Sequence, residues 1–317
     1  MKIVAMALLA TANLATAQDY PTKPVRFIVP FAPGGGTDTT ARTIAQKLSE
    51  KLGKPVVVDN RGGAGGVIGT ETVARSTPDG YTLLMGSPGP LTINPNLQTK
   101  MPYDTLRDFA PISLATISPF ILVVPPGSSV SSVKELIALA KEKPNSLNYG
   151  SSGTGSVSHL STEQFKALAG VQLTHIPYKG SSQSLVDILS GRLQLQFENL
   201  PVVLPHIRSG KLKALAVGTR KRSAVVPEYP TMVEAGVPGY ESSTAFGVLA
   251  AAKTPKAIMD RLNTDVGAVM KMPEVRDSLN ARGFDAVGST PEEYRVHLRE
   301  ELKLYARLVK IAGIRPE

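Results

Sequence analysis

Two glycine-rich loops are the parts of the sequence whose residue types are best suited to chemistry. PGGGTD at 33–38 follows an apolar strand pattern, and GSSGTGS at 150–156 follows another strand pattern further along the chain. A helix that begins directly after such a loop presents unpaired backbone N–H groups and a partial positive charge, which suit an anion. Each loop alone is better explained as a turn between strand and helix. Their repetition favours two anion-binding loops that face each other.

Other kinds of chemistry find little support in the sequence. The chain has no cysteine, which excludes thiol catalysis and cysteine-ligated metals. Its four histidines lack the spacing of a zinc site, and only His159, one turn into the helix after the second loop, is placed to reach a cleft. The P-loop, dinucleotide-binding and nucleophile-elbow motifs are absent. We therefore expect no metal and no cofactor.

The elements around the two loops occur in the same order twice. The first unit has strand patterns at 25–30, 55–59 and 82–85 and amphipathic helices that begin near 38 and 67, with Thr37 or Asp38 able to cap the first helix. The second unit has strand patterns at 147–149, 174–177 and 193–197 and helices at 157–170 and 185–189. Two such tandem units predict two small parallel α/β layers.

Two apolar strand patterns, at 120–124 and 246–250, flank the second unit. We expect the chain to cross there from one lobe to the other and back, and the C-terminal helices to return to the first lobe. The predicted fold class is α/β, with two lobes joined by two crossover hinge segments. The predicted boundaries are a signal peptide at 1–17, a first lobe at 18–122 and 246–317, and a second lobe at 123–245.

The first residues and the overall charge bear on the compartment and the partners. Lys2 precedes an apolar stretch that is too short to span a membrane, and Ala15-Thr16-Ala17 fits a signal-peptidase site, so we expect export to the periplasm. Without a cysteine the exported chain cannot carry a lipid anchor. The net charge of +9 comes from scattered residues, and aromatic residues make up only 5%. This pattern favours attraction of small anions and argues against nucleic-acid binding.

The ordered motifs of the chain resemble the substrate-binding components of tripartite tricarboxylate transporters, the Bug proteins. The resemblance covers essentially all of the chain after the signal peptide. It rests on residues 30–35 with Asp38, Ala41 and Arg42, and on the segments 58–66, 93–95, 108–112, 149–153, 177–180, 230–231 and 234–240. It implies the type II periplasmic binding protein fold and no catalysis.

The resemblance also implies that ligand carboxylates are held largely by backbone N–H groups and bridging waters. The donors would come from loops 32–38 and 151–156, with lateral contacts from Ser87, Tyr178 and Asn199. The candidate ligand-binding residues are Phe31, Ala32, Pro33, Gly34, Gly35, Thr37, Asp38, Ser87, Ser151, Gly153, Thr154, Gly155, Ser156, His159, Tyr178 and Asn199. The chain departs from the family pattern at Ala245, where many members have a tryptophan, and at 89–91. The missing ring would either enlarge the pocket or remove a packing group.

These observations, together with the resemblance, predict a monomeric receptor that closes on a small organic carboxylate; the resemblance implies that it delivers the carboxylate to an integral-membrane permease of a tripartite tricarboxylate transporter. One alternative is an enzyme acting on an acidic small molecule in the same cleft, although the loops offer serine and threonine without an evident adjacent base. Another is a sensor subunit that presents its ligand to a signalling receptor. The class of carboxylate stays open.

Overall fold

The computed structural model describes residues 20–178 and 180–315, so the predicted signal peptide lies outside the described residues. The strands are β1 Val25–Val29, β2 Val56–Asn60, β3 Thr82–Gly86, β4 Phe109–Val124, β5 Asn148–Ser151, β6 Thr174–Pro177, β7 Gln196–Asn199, β8 Lys213–Val217, β9 Ser243–Ala251 and β10 Asp285–Ala286. The α-helices are α1 Gly36–Leu52, α2 Val67–Ala74, α3 Asn94–Leu97, α4 Val133–Glu142, α5 Val157–Ala169, α6 Ser181–Leu189, α7 Leu200–Arg208, α8 Lys256–Lys271, α9 Pro273–Ala281 and α10 Pro291–Ile311. A π-helical turn, Gly89–Ile93, precedes α3.

The first lobe is built on a mixed sheet whose strand order is β10-β4-β9-β3-β1-β2. β1 pairs in parallel with β2 and β3, whereas β9 runs antiparallel to β3 and β4. The buried apolar runs of β1 and β3 are typical of strands covered on both faces. The loops that follow β1, β2 and β3 therefore lie at one edge of this sheet.

The second lobe repeats this arrangement with shorter strands. β5 and β6 pair in parallel, and Tyr149 forms a parallel bridge with Leu195 just before β7. The loops after β5, β6 and β7 consequently lie at one edge as well. Ligands of open α/β sheets bind outside the carboxyl ends of the strands, so these two edges are the places to look for a site.

The sixteen-residue strand β4 runs through both lobes. Its residues 109–119 pair with β9, and its residues 120–124 pair with β7 and β8. The chain returns beside this switch, where Phe120 N donates to Ser242 O and Ser242 N donates to Gly218 O. A Cβ atom at Gly218 would lie 2.4 Å from Ser242 O, so only glycine fits this crossing. The segments at 120–124 and 246–250 are strands as expected. β4 changes its pairing partners between Pro119 and Phe120, and the returning chain crosses at Ser242, just before β9.

Apolar side chains fill both faces of each sheet, and one further cluster joins the lobes. Ile93 of the first lobe and Leu160 of α5 pack there against Tyr305, Leu308 and Val309 of α10. The expectation that the C-terminal helices return to the first lobe is correct for α8 and for the start of α10. The last turns of α10 also pack on the second lobe, which the sequence did not indicate.

Candidate ligand-binding site

The first glycine loop, residues 31–35, connects β1 to α1 and is braced from inside the helix. Neither Thr37 nor Asp38 is the N-cap, because the helix begins earlier than expected and Gly35 caps it without a side-chain hydrogen bond. Asp38 lies instead in the first helical turn, where Gly34 N donates to its Oδ2 at 2.9 Å. Arg42 Nε and Asn60 Nδ2 donate to the same carboxylate at 3.0 and 2.9 Å.

The charge state of Asp38 follows from these contacts. Burial would raise the pKa of this carboxyl, but the hydrogen bonds from Arg42, Gly34 and Asn60 outweigh it and hold the pKa below its usual value. Asp38 is 4% exposed and Thr37 is 7% exposed. Both side chains therefore support the loop from behind, and the exposed surface of the loop is residues 32–35.

Two other strand-end loops pack beside the first glycine loop. Asn60 Nδ2, at the end of β2, donates to Phe31 O at 3.0 Å, which fixes the start of the first loop. A Cβ atom at Gly66 would lie 3.0 Å from the Phe31 ring and 3.1 Å from Pro90, so glycine is needed for this close approach. Ser87, which follows β3, is 5% exposed, and its hydroxyl has no hydrogen-bond partner within the described residues.

The second glycine loop, residues 151–156, joins β5 to α5. Ser156 caps α5 by accepting from His159 N at 3.3 Å. Gly153 has a φ of +131°, which favours glycine, and Gly155 N donates to His159 Nδ1 at 3.1 Å. Of the predicted contacts in this loop, Thr154 is exposed, whereas Ser151 and Gly155 are buried.

His159 was expected to reach the cleft, but the structure buries its side chain. His159 is 5% exposed, and its ring stacks on that of His175 with the ring centroids 4.1 Å apart. His175 stacks in turn on Tyr149, at 4.8 Å. Burial lowers the pKa of His159, and burial together with the neighbouring His159 lowers that of His175 to about 4. Sequence reasoning missed this stack because only the pairing of β5 with β6 brings Tyr149 beside His175.

The structure places a base next to a loop serine, which the sequence did not reveal. Ser151 Oγ lies 2.7 Å from His175 Nε2, a distance that a nucleophile–base pair would use. Ser151 is 0% exposed, however, and Gly153 N donates to its hydroxyl. The pair therefore holds the loop and is closed to a substrate. Among residues 20–178 and 180–315, no cluster of three or more His, Asp or Glu side chains is arranged to hold a metal ion.

The two remaining lateral candidates both have partners within the protein. The Tyr178 hydroxyl donates to Asp187 at 2.6 Å, and burial together with this carboxylate raises the pKa of Tyr178 to about 12. Asn199 accepts from Ser118 Oγ in β4 and donates to Thr244 Oγ1 in β9, at 2.5 and 3.1 Å. The Asn199 side chain thus ties the second lobe to both crossing strands. Lys179, part of one family motif, lies outside the described residues.

Elements of both lobes line a groove of about 570 Å³ next to the first glycine loop. Phe284, Leu204 and Pro201 give it an apolar wall, and Arg208 and Arg282 are its charged residues. Neither guanidinium forms an ion pair within the described part of the chain. On the other side, a Cβ atom at Gly155 would lie 3.1 Å from Leu97, so the second loop also abuts the first lobe. The lining residues are Gly34, Gly36, Thr39, Pro201, Leu204, Pro205, Arg208, Ala281, Arg282 and Phe284.

Comparison with known proteins shows which family this chain matches. Residues 40–314 match the family described as tripartite tricarboxylate transporter family receptor. Protein BugT of Bordetella pertussis is 40% identical over 309 residues, which cover 96% of this chain and 95% of BugT. None of the helices described here has the length and apolar character to cross a membrane.

Solved structures agree with this match and with the predicted fold. R. palustris Rpa4515 with adipate is 40% identical, with a TM-score of 0.80 over 94% of this chain and 100% of that one. MatC (Rpa3494) from Rhodopseudomonas palustris with bound malate is 31% identical, with a TM-score of 0.74 over 92% of this chain and 100% of that one. The two-lobed periplasmic binding protein fold is thereby confirmed. The chain belongs to the tripartite tricarboxylate transporter receptor family, whose members are solute receptors and not enzymes.

Proposed function

We propose that this receptor captures a small organic carboxylate between its two lobes and delivers it to the membrane permease of a tripartite tricarboxylate transporter. The observation that carries the proposal is the pair of glycine loops, each at the carboxyl edge of a parallel strand set and each followed by a helix of at least three turns. The first N–H groups of such helices have no partner inside the helix and favour a negative charge.

The surroundings of the first loop support a carboxylate over a neutral solute. The described residues that line the adjacent groove include two arginines and no acid. The negative charge of Asp38 is already paired with Arg42, and its carboxylate also accepts a hydrogen bond from Asn60, so it does not oppose an anion in front of the loop. Two relatives contain adipate and malate, which makes these compounds the first candidates for this chain.

Thermal unfolding of the ligand-free protein with adipate, malate and their diamides tests the proposal. A bound carboxylate at about 100 times its dissociation constant stabilises the folded state by about 2.7 kcal/mol, which is readily measured. The diamides should bind more weakly, by roughly 1.5–3 kcal/mol for each charge-assisted hydrogen bond lost. Equal stabilisation by acid and diamide would contradict carboxylate recognition. If neither acid acts, a wider set of carboxylates must be screened, and a set that yields no ligand would refute the proposal.

Periplasmic location and delivery to a permease complete the proposal. They are supported by the receptor family and by the signal-peptide pattern at 1–17. Intact-mass measurement of the exported protein should give the chain cleaved after Ala17, and retention of residues 1–17 would contradict export by this route. Delivery can be tested by measuring ligand uptake in cells that lack the receptor gene. Uptake should return only when the receptor and the permease are both present.

A further inference from the structure

The second glycine loop rests on two stacked histidines that a backbone-only account of ligand binding does not use. His159 Nδ1 accepts from Gly155 N at 3.1 Å, and His175 Nε2 lies 2.7 Å from Ser151 Oγ. The two rings are nearly parallel, with an angle of 9° between their planes. Both ends of the loop therefore depend on an imidazole nitrogen.

The contact with Gly155 determines the tautomer of His159. A backbone N–H can only donate, so Nδ1 must carry a lone pair and the ring proton must be on Nε2. Nε2 lies 3.9 Å from Glu163 Oε1, on the side of the ring away from the loop. Protonation at Nδ1 would set two donors against each other and break the hydrogen bond to the loop.

The charged groups around the stack make a second positive charge unfavourable. Glu163 of α5 is the acid that faces His159, and it already accepts from the Tyr149 hydroxyl at 2.5 Å and from Lys166 Nζ at 2.7 Å. Lys166 adds a positive charge over the Tyr149 ring. Two protonated imidazoles with centroids 4.1 Å apart would repel each other in this partly buried site.

We infer that His159 and His175 are positioning residues, and that the stack holds the second glycine loop in its binding geometry only while His159 is uncharged, so that carboxylate capture weakens in acid. The inference rests on the proposed function for its ligand but not for its geometry. The lowered pKa values of both imidazoles agree with it, since burial favours the neutral rings.

Nuclear magnetic resonance of the full chain tests the geometry without any ligand. The Gly155 amide resonance should move with the same acid midpoint as the His159 ring nitrogens, and Nδ1 should carry no proton at pH 7.5. In His159→Asn, the amide oxygen stands at the position of Nδ1 and does not titrate, so the Gly155 shift should lose its acid midpoint. A Gly155 resonance that ignores His159 titration, or a protonated Nδ1, would overturn the inference.

Affinity for adipate, measured by calorimetry from pH 7.5 to 4.5, tests the consequence. Titration of the adipate carboxyls is the same for every variant, so only differences between variants count. Wild-type affinity should fall relative to His159→Asn by up to about tenfold per pH unit below the pKa of His159. His206→Asn, a change of another histidine, should follow the wild type. Parallel pH profiles for wild type and His159→Asn would overturn the inference. Absence of adipate binding at pH 7.5 would count against adipate as the ligand, and the resonance experiment would still decide the histidine role.

Discussion

At the scale of single residues, the glycines of the first loop differ in whether a side chain would fit. Both Gly34 and Gly35 have open space around a Cβ position, but Gly34 has a φ of +91°, which strains any other residue, whereas Gly35 has extended backbone. Because Gly35 is the N-cap of α1 and valine is a poor N-cap, Gly35→Val should lower the free energy of unfolding by about 1 kcal/mol and leave the fold intact. If the ligand approaches the backbone here, the same change should weaken adipate binding more than tenfold, about 1.4 kcal/mol.

Calorimetry and urea unfolding of Gly35→Val check this prediction. Gly127→Val is the matched control, because Gly127 also has open space around its Cβ position and lies in the second lobe, away from the glycine loops. Normal binding by Gly35→Val would mean that side chains, such as Arg208 or Arg282, hold the carboxylate instead.

Asp38 gives a second prediction at this scale, on stability against pH. Its pKa is lowered in the folded state, so its contribution is fully present above the unfolded value of about 3.9 and is lost as the pH falls through the lower folded value. Asp38→Asn removes the charge and replaces one acceptor oxygen with an NH₂ group, which can only donate. That NH₂ group would face one of the donors from Gly34, Arg42 or Asn60 and leave it without an acceptor. We expect a loss of roughly 1–3 kcal/mol at pH 7.

Urea unfolding at pH 7 and pH 3 checks the prediction for Asp38. The wild type should lose more stability between these values than Asp38→Asn does. Asp260→Asn, a change of an exposed aspartate, is the control and should behave as the wild type. An equal acid loss in wild type and Asp38→Asn would contradict the role given to this carboxylate.

The sequence could place the loops but not the partners of their side chains. Asp38 was expected to cap α1, yet the glycines allow the helix to begin at Gly36, which moves Asp38 into the first turn. His159 follows the loop at a spacing that also suits a cleft residue. The aromatic stack that buries it depends on β6, which no local pattern relates to α5.

At the scale of elements, α10 is the helix that joins the lobes. Leu160 of α5 is fully buried, and it packs against Tyr305, Leu308 and Val309 of α10. Leu160→Ala should lower the free energy of unfolding by about 2–5 kcal/mol, since the cavity adds to the lost burial. Leu168→Ala on the same helix, where the side chain is 44% exposed, should change it by less than about 0.5 kcal/mol.

Urea unfolding of both leucine variants distinguishes the two roles. Similar small effects would mean that α10 only lies against α5 and does not couple the lobes. The repeated strand–loop–helix order was readable from the sequence because each element carries its own apolar period. The packing of α10 on α5 could not be predicted from the sequence, because the contact joins residues about 145 positions apart and leaves no local pattern.

At the scale of the whole molecule, the two lobes touch on both sides of the crossing strands. Leu97 lies against Gly155, and Pro201 lies against Gly283. Arg220 bridges Glu241 beside the crossing and Glu300 on α10. The crossing strands join the lobes covalently, and the cluster around α10 joins them through buried apolar contact. Exposed ion pairs such as those of Arg220 contribute little. The arrangement therefore fits a closed state that a ligand would favour.

Hinge closure about the crossing strands is the prediction that follows. We expect the ligand-free protein to sample an open form, because the groove beside the first loop is filled only when a ligand bridges the lobes. A ligand then shifts the population toward the closed form, which it binds better. Small-angle scattering should then give a smaller radius of gyration with saturating adipate than without it. Gly35→Val is the control, since a variant that does not bind should keep the larger radius at the same adipate concentration. An unchanged radius in the wild type, with binding shown to be saturated by calorimetry, would mean that the ligand enters a cleft that is already closed.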